Sequence, residues 1–181
     1  LHKGAVLAIR TFLPKLRSLS LLMASRYLDN GDGTVTDVET GLQWMCFSLG
    51  QKWQNETCIG EAKRYTWQKA LDAAKALNCQ GGYAGYRDWR VPTKEELQTL
   101  IYSSSGQPKI WNDTGELCKG DYERPTLFQP AFPNTPSGLY WSSSVYAYGS
   151  GSAWFVNFYY GGVGADGKAL NIHARLVRDG Q

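Results

Sequence analysis

The sequence predicts an α+β domain in which two helices lie between short antiparallel strands. Twenty Gly, seven Trp and eleven Tyr among 181 residues are typical of short strands joined by tight turns rather than of a helical bundle. The clear helical periodicity occupies the middle of the chain, and alternating or turn-rich segments lie on both sides of it. The length corresponds to one domain large enough to bury a core.

The segment DNGDGTVTDVETGLQWM, residues 29–45, predicts a hairpin followed by a third strand. Asn30-Gly31 and Asp32-Gly33 are turn dipeptides, and Thr40-Gly41 predicts a second turn. Asp29, Asp32 and Asp37 do not have the spacing of an EF-hand loop. A structural hairpin is therefore favoured over a metal site, and no metal ligand is predicted.

Two helices are predicted, near residues 66–78 and 93–102. The first carries Trp67, Ala70, Leu71, Ala74 and Leu77 on one face, with Thr66 as a candidate cap and Gly81-Gly82 after its end. The second begins with a capping box.

In that box Thr93 and Glu96 cap each other's backbone, and Leu97, Leu100 and Ile101 form a buried stripe. Residues 102–138, with five prolines, predict a long loop, and strands resume at LYWSSS, residues 139–144.

Residues 1–26 differ in charge from the remainder. They hold five Lys and Arg and no acid, which leaves fourteen basic and all sixteen acidic residues to the rest of the chain. We interpret 1–26 as a basic, partly helical extension, broken near Pro14, that acts as a targeting, linker or self-association segment. Residues 27–181 form the globular domain. Its near neutrality argues against a nucleic-acid partner, and no apolar run is long enough for a transmembrane span.

The cysteines are Cys46, Cys58, Cys79 and Cys118, and none belongs to a CxxC motif. Their even number permits two disulfides, Cys46–Cys58 and, as a weaker pairing, Cys79–Cys118. Four free thiols in a cytoplasmic protein remain the alternative, since no clear export signal is visible. A cell-surface or secreted location is slightly favoured.

The sequence gives little support for catalysis. GxSxG, HExxH, P-loop and dinucleotide motifs are absent, and His173 has no motif around it. We therefore expect no catalytic residues, no cofactor and no enzymatic activity.

Five blocks carry a resemblance to a known family: DNGDGTVTDVETGLQWM, TWQKALDAAKAL, GYRDWRVPTKEELQTLI, FPNTPSGLYWSSS and AWFVNFYYGG with ARLVRDGQ. Over residues 27–181 the chain resembles the Lcl C-terminal domain family, formerly a domain of unknown function. The resemblance implies a C-type-lectin-like fold of two helices and short twisted antiparallel sheets, related to the formylglycine-generating enzymes. In that fold the terminal strands share a sheet, so Val35 should lie near the ARLVRDG segment.

The enzymes of that superfamily depend on a cysteine pair near the C-terminal end, whereas the last cysteine here is Cys118. Some relatives are variable proteins of diversity-generating retroelements, in which a reverse transcriptase randomises adenines at the 3′ end of the gene. An AAC codon can then become any NNC codon. Between Val145 and Ile172 only Trp154 and Lys168 fall outside the NNC set.

The resemblance thus implies a variable region at about residues 139–181. Tyr and Phe among Gly, Ser and Asn also resemble antibody binding loops in composition. We expect a set of side chains to converge on one exposed face, with Trp141, Trp154 and Arg175 beneath it as scaffold. The predicted ligand-binding residues are Tyr146, Tyr148, Phe155, Tyr159, Tyr160, Asp166, Leu170, Asn171 and Ile172.

The predicted function is a receptor- or adhesin-type module that binds a ligand, protein or glycan, through this C-terminal surface. A non-varying glycan-binding adhesin is the alternative, although the Glu-Pro-Asn-type calcium cluster of such lectins is not evident. A nearby imperfect repeat of the gene would distinguish the two.

Overall fold

The computed structural model describes residues 26–180, and this part of the chain contains two helices and nine strands. The strands are β1 (Tyr27–Asp29), β2 (Thr34–Asp37), β3 (Leu42–Met45), β4 (Lys52–Gln54), β5 (Thr57–Ile59), β6 (Leu139–Val145), β7 (Ser152–Asn157), β8 (Gly162–Gly167) and β9 (Val177–Asp179), and the helices are α1 (Trp67–Cys79) and α2 (Lys94–Gln98). The α+β class predicted from the sequence is confirmed.

The two ends of the domain meet in one antiparallel sheet of order β1-β2-β3-β9. Val35 pairs with Trp44, and Trp44 pairs with Val177 on its other side. Val35 and the C-terminal strand therefore share a sheet, as expected, with β3 between them. Only the turn residues separate β1 from β2 and β2 from β3, as the Asn-Gly, Asp-Gly and Thr-Gly dipeptides predicted.

The remaining strands form a two-stranded hairpin, β4-β5, and a three-stranded antiparallel sheet of order β6-β7-β8. The three-stranded sheet has a regular register from Ser152–Gly167 to Asn157–Gly162 between β7 and β8, and a bulge between Trp141 and Val145 in β6. Both helices contact this sheet. With its two connecting turns the sheet spans residues 139–167 of the predicted variable region.

The helices begin where the sequence predicts, but α2 is shorter than expected. The Thr93–Glu96 capping box is present, whereas the Thr66 side chain makes no capping hydrogen bond. α2 ends at Gln98, and three residues later Ile101 forms a bridge with Leu127. The predicted stripe of Leu97, Leu100 and Ile101 is nevertheless fully buried.

The acidic residues of the first hairpin have structural roles. Asp37 is buried and paired with Arg26, with 2.9 Å between Oδ2 and Nη2. Asp29 and Asp32 each accept a backbone N–H two residues ahead, which fixes the turn. Arg26, which we assigned to the extension, is thus packed into the domain.

A buried guanidinium lies at the centre of the core. Arg175 has no solvent exposure, and its Nη1 donates to the carbonyl oxygens of Met45 and Cys46, each at 2.8 Å. Nη2 donates to Thr135 Oγ1 at 2.7 Å, and the guanidinium carbon lies 4.7 Å from the centroid of the Phe132 ring. Burial lowers the pKa of Arg175 from its ordinary value, since desolvation disfavours the charged form.

All four cysteines are free thiols, so both predicted disulfides are absent from the structure. Cys46, Cys58 and Cys118 are buried, whereas Cys79 lies exposed at the end of α1. Burial raises the pKa of Cys46 to about 12 and that of Cys58 to about 11. These thiols are therefore protonated at neutral pH and pack as small apolar side chains.

The predicted helix near Pro14 and the rest of residues 1–25 lie outside the described residues. Within residues 26–180, neither helix is long and apolar enough to cross a membrane.

Replacement of Arg175 by Met should lower the free energy of unfolding by about 3 kcal/mol. The three acceptors would lose a donor, at roughly 1–3 kcal/mol each, and removal of a buried charge would offset part of that loss. Urea unfolding followed by tryptophan fluorescence measures the change. The control is the exposed Arg87→Met, expected within about 0.5 kcal/mol of the parent. An Arg175→Met variant as stable as the parent would contradict this role.

Candidate ligand-binding surface

The β6-β7-β8 sheet is held on its frame by two tryptophans that donate to distant backbone. Trp141 Nε1 donates to the Tyr65 carbonyl oxygen, and Trp67 Nε1 donates to the Ser142 carbonyl oxygen, both at 2.9 Å. Trp141 is fully buried, as expected of scaffold. The sheet therefore forms a fixed support for the segments at its edges.

Phe155 lies in the middle of the sheet and is half-buried. It pairs with Trp141 on one side and Gly164 on the other. A Cβ atom at position 164 would lie 2.6 Å from Phe155 Cζ, so the ring occupies the space that a side chain there would need. The Phe155 side chain is therefore partly exposed to solvent and partly packed against the core.

Three aromatic rings form a cluster at the end of the sheet where the β6–β7 loop lies. Tyr146 contacts Tyr148 and Trp154 edge to face, with centroid distances of 5.7 and 5.1 Å. Tyr148 is 91% exposed, whereas Tyr146 and Trp154 are half-buried. The Lys94 ammonium lies 4.6 Å from the Trp154 centroid, a favourable cation–π contact. We call Tyr146, Tyr148, Trp154 and Lys94 the loop-end surface.

Three further predicted residues lie at the same end of the sheet. The Lys168 amide donates to the Gly151 carbonyl oxygen, and Lys168 Nζ donates to that of Ser150, which ties the end of β8 to the β6–β7 loop. Asp166 precedes this contact, and Leu170 and Asn171 follow it; all three are exposed.

Tyr159 and Tyr160 lie in the β7–β8 turn, at the opposite end of the sheet. Their rings meet edge to face at 4.7 Å, and they are 43% and 48% exposed. Arg124, from the long loop before β6, has its guanidinium carbon 4.5 Å from the Tyr159 centroid and 4.6 Å from the Tyr122 centroid. We call Tyr122, Arg124, Tyr159 and Tyr160 the turn-end surface.

The backbone of this turn is held in place by its neighbours. The four successive carbonyl oxygens of residues 158–161 accept hydrogen bonds, in order, from Thr126, Arg124, Cys118 and Asn112. On the inner side, Asn157 Oδ1 accepts the amides of Tyr159 and Tyr160 at 2.8 and 3.4 Å. The turn is therefore presented in a single conformation.

The expectation of one converging face is wrong. In an antiparallel sheet the two turns that flank β7 lie at its opposite ends, and six residues of strand separate them by roughly 20 Å. Two more corrections concern burial. Ile172 is only 6% exposed and bridges Tyr65, and Trp154 is half-buried at the surface instead of lying beneath it.

Four contributors to the surfaces were missed by the sequence reasoning. Trp154 was assigned to scaffold because its segment reads as a framework strand. Lys94 reaches it from α2, and Tyr122 and Arg124 come from the long loop, which has no periodic pattern. The one available signal was Trp154 itself, which lies inside the predicted variable region but outside the NNC set.

His173 has a structural role in this region. It is 7% exposed, and its Nδ1 lies 3.1 Å from the Lys63 carbonyl oxygen. Burial lowers the pKa of His173, so the ring is neutral at pH 7.

Comparison with known families gives one match to this part of the chain. The model of the Lcl C-terminal domain family matches residues 33–178, which include both helices and the whole β6-β7-β8 sheet. A search of curated proteins finds no match.

Replacement of Asn157 by Ala should loosen the β7–β8 turn. The variant loses the acceptor of two amides, which we expect to lower the free energy of unfolding by about 1 kcal/mol. Hydrogen exchange of the Tyr159 and Tyr160 amides should accelerate by about tenfold or more. Asn171→Ala, at an exposed site, is the matched control and should leave both the free energy of unfolding and the exchange rates of the two amides unchanged. Unchanged exchange in Asn157→Ala would show that the outer hydrogen bonds alone hold the turn.

Proposed function

Because this chain belongs to the Lcl C-terminal domain family, we propose that it is a ligand-binding module of the receptor or adhesin type, whose contacts lie on the β6-β7-β8 sheet. The ligand is a protein. Binding uses the loop-end and turn-end surfaces, with Phe155 between them.

One observation carries the proposal: exposed tyrosines, paired ring to ring, stand on a frame whose backbone is held by hydrogen bonds. Exposed aromatic groups on a folded domain mark interaction sites more often than they serve stability. Tyrosine offers a large contact area and a hydroxyl group with few rotatable bonds, so ordering it on binding costs little entropy. A rigid turn lowers that cost further.

We further propose that the module binds without catalysis. The polar side chains of the two surfaces are Lys94, Arg124 and the tyrosine hydroxyls, which suit recognition. His173 is buried and its Nδ1 contacts a backbone carbonyl oxygen, and the raised pKa values of Cys46 and Cys58 keep these two thiols protonated. No residue is assigned a catalytic role.

The proposal includes diversification of the exposed positions by a retroelement. The exposed members of the predicted set are Tyr148, Tyr159, Tyr160, Asp166, Leu170 and Asn171, and Tyr146 is half-exposed. Changes there cost little stability, because the side chains face solvent. Ile172 is excluded, since substitution of a buried residue costs several kcal/mol.

The genomic DNA around the gene tests the diversification directly. We expect an imperfect repeat of the 3′ end of the gene, with adenines at the codons for these seven positions, and a reverse-transcriptase gene close by. Codons for Trp141, Trp154 and Arg175 should match the repeat without substitution. Absence of the repeat would refute diversification and favour a fixed binding surface.

A displayed library tests whether the surface can bind proteins. NNC codons at the same seven positions should leave most members folded, and selection against hen egg lysozyme, an arbitrary protein probe, should yield binders of about micromolar Kd. A control library with NNC codons at Trp141, Val156 and Ile172 should lose display, since these residues are buried. Equal loss of display in the two libraries, or no binders from the first, would refute the proposal.

A further inference from the structure

Arg124 is an exposed cation that the structure holds in one place. Its guanidinium lies between the rings of Tyr122 and Tyr159. Nε donates to the Tyr159 carbonyl oxygen at 3.1 Å, and Nη2 donates to the Tyr122 hydroxyl at 3.2 Å. An arginine side chain normally loses considerable rotamer entropy when it binds a partner, and here much of that loss has already occurred.

The same guanidinium has no counterion. Among residues 26–180, no carboxylate lies within ion-pair distance of Arg124, although Asp121 and Glu123 are its near neighbours in sequence. Two of its five N–H groups are engaged, which leaves three for a ligand. A planar fork of this kind matches a carboxylate, which it can bind through two parallel hydrogen bonds.

The surroundings narrow the class of ligand. Asp121 and Glu123 are exposed and acidic, so they oppose a doubly charged group such as phosphate more strongly than a singly charged carboxylate. Apolar surface borders the guanidinium: Tyr160 is 48% exposed, and Leu117, 53% exposed, lies against Gly162 at the start of β8. A carboxylate that stands between apolar side chains therefore complements the turn-end surface.

We propose that the turn-end surface is a separate contact site that binds an Asp or Glu side chain of a protein partner through Arg124. Adjacent apolar side chains of that partner pack on Tyr159, Tyr160 and Leu117. The site lies roughly 20 Å from the loop-end surface, so the domain contacts its partner at two points or holds two partners. This inference rests on the proposed function only in that the ligand is a protein.

The test is an NMR titration of the ¹⁵N-labelled protein with two short peptides. The probe is acetyl-Leu-Asp-Leu-amide, and its neutral counterpart is acetyl-Leu-Asn-Leu-amide. The Asp peptide should shift the Arg124 Nε–Hε signal and the Tyr159 and Tyr160 amides in a saturable manner. The Asn peptide should bind at least about fivefold more weakly.

Substitutions at Arg124, Arg87 and Tyr159 distinguish binding at a specific site from general attraction between the peptide and any exposed cation. Arg124→Gln should abolish the shifts, whereas Arg87→Gln, which removes an exposed arginine elsewhere, should leave them unchanged. Tyr159→Ala keeps the charge but removes one stacking ring, and it should weaken binding by about threefold or more. The ¹H–¹⁵N spectrum of each variant verifies its fold.

Any of three results with the peptides would overturn the inference. These are no saturation with the Asp peptide up to about 20 mM, equal binding of the two peptides, or an equal loss of peptide binding in Arg87→Gln and Arg124→Gln. Acetate alone, if it shifts Arg124 at the same concentration as the peptide, would refute recognition of a protein side chain. The double variant Tyr146→Ala/Tyr148→Ala should still bind the Asp peptide. Lysozyme binders that use only the loop-end positions would leave the proposed function standing even if this inference fails.

Discussion

A fully buried cation, the guanidinium of Arg175, holds together three segments of the core. Arg175 comes just before the last strand, and it joins the end of β3 to the loop before β6 by donating to Met45, Cys46 and Thr135. These segments are between 40 and 130 residues away in the chain. Among residues 26–180 no carboxylate pairs with Arg175, so its charge depends on carbonyl dipoles and on the Phe132 ring. Because the buried Nη1 and Nη2 groups need these three acceptors, the segments that carry them must be in place together.

The hydrogen bonds of Arg175 do not involve the side chains at the two ends of the β6-β7-β8 sheet. The sheet is attached to the rest of the domain by the hydrophobic core and by the indole hydrogen bonds of Trp141 and Trp67. The phenol rings at the two ends lie outside these contacts; they meet one another, Trp154 and Arg124. The hydrogen bonds that hold the sheet and the turn thus belong to the frame and to the backbone rather than to the phenols at the two ends of the sheet.

Sequence reasoning succeeded where the governing interaction is local. The Thr93–Glu96 capping box and the Asn-Gly and Asp-Gly turns depend on neighbours within four residues, and all are present. It failed where the answer depends on pairing across the chain. Tyr148 and Tyr159 lie in similar Tyr- and Gly-rich segments, yet the antiparallel pairing places them at opposite ends of β7. Ile172 was misassigned for the same reason, because its bridge partner, Tyr65, is more than 100 residues away. Arg124 could not be found, since nothing in its own segment indicates that Tyr159, 35 residues away, packs on it.

The hydrogen bonds of the β7–β8 turn have an implication for heredity. They involve the main-chain atoms of residues 158–161, and their partners belong to residues 112–126 and to Asn157. No bond within the turn requires the phenol of Tyr159 or Tyr160. A different residue at either position, proline excepted, would leave these backbone hydrogen bonds in place, so the side chains here and the backbone of the turn can be inherited independently.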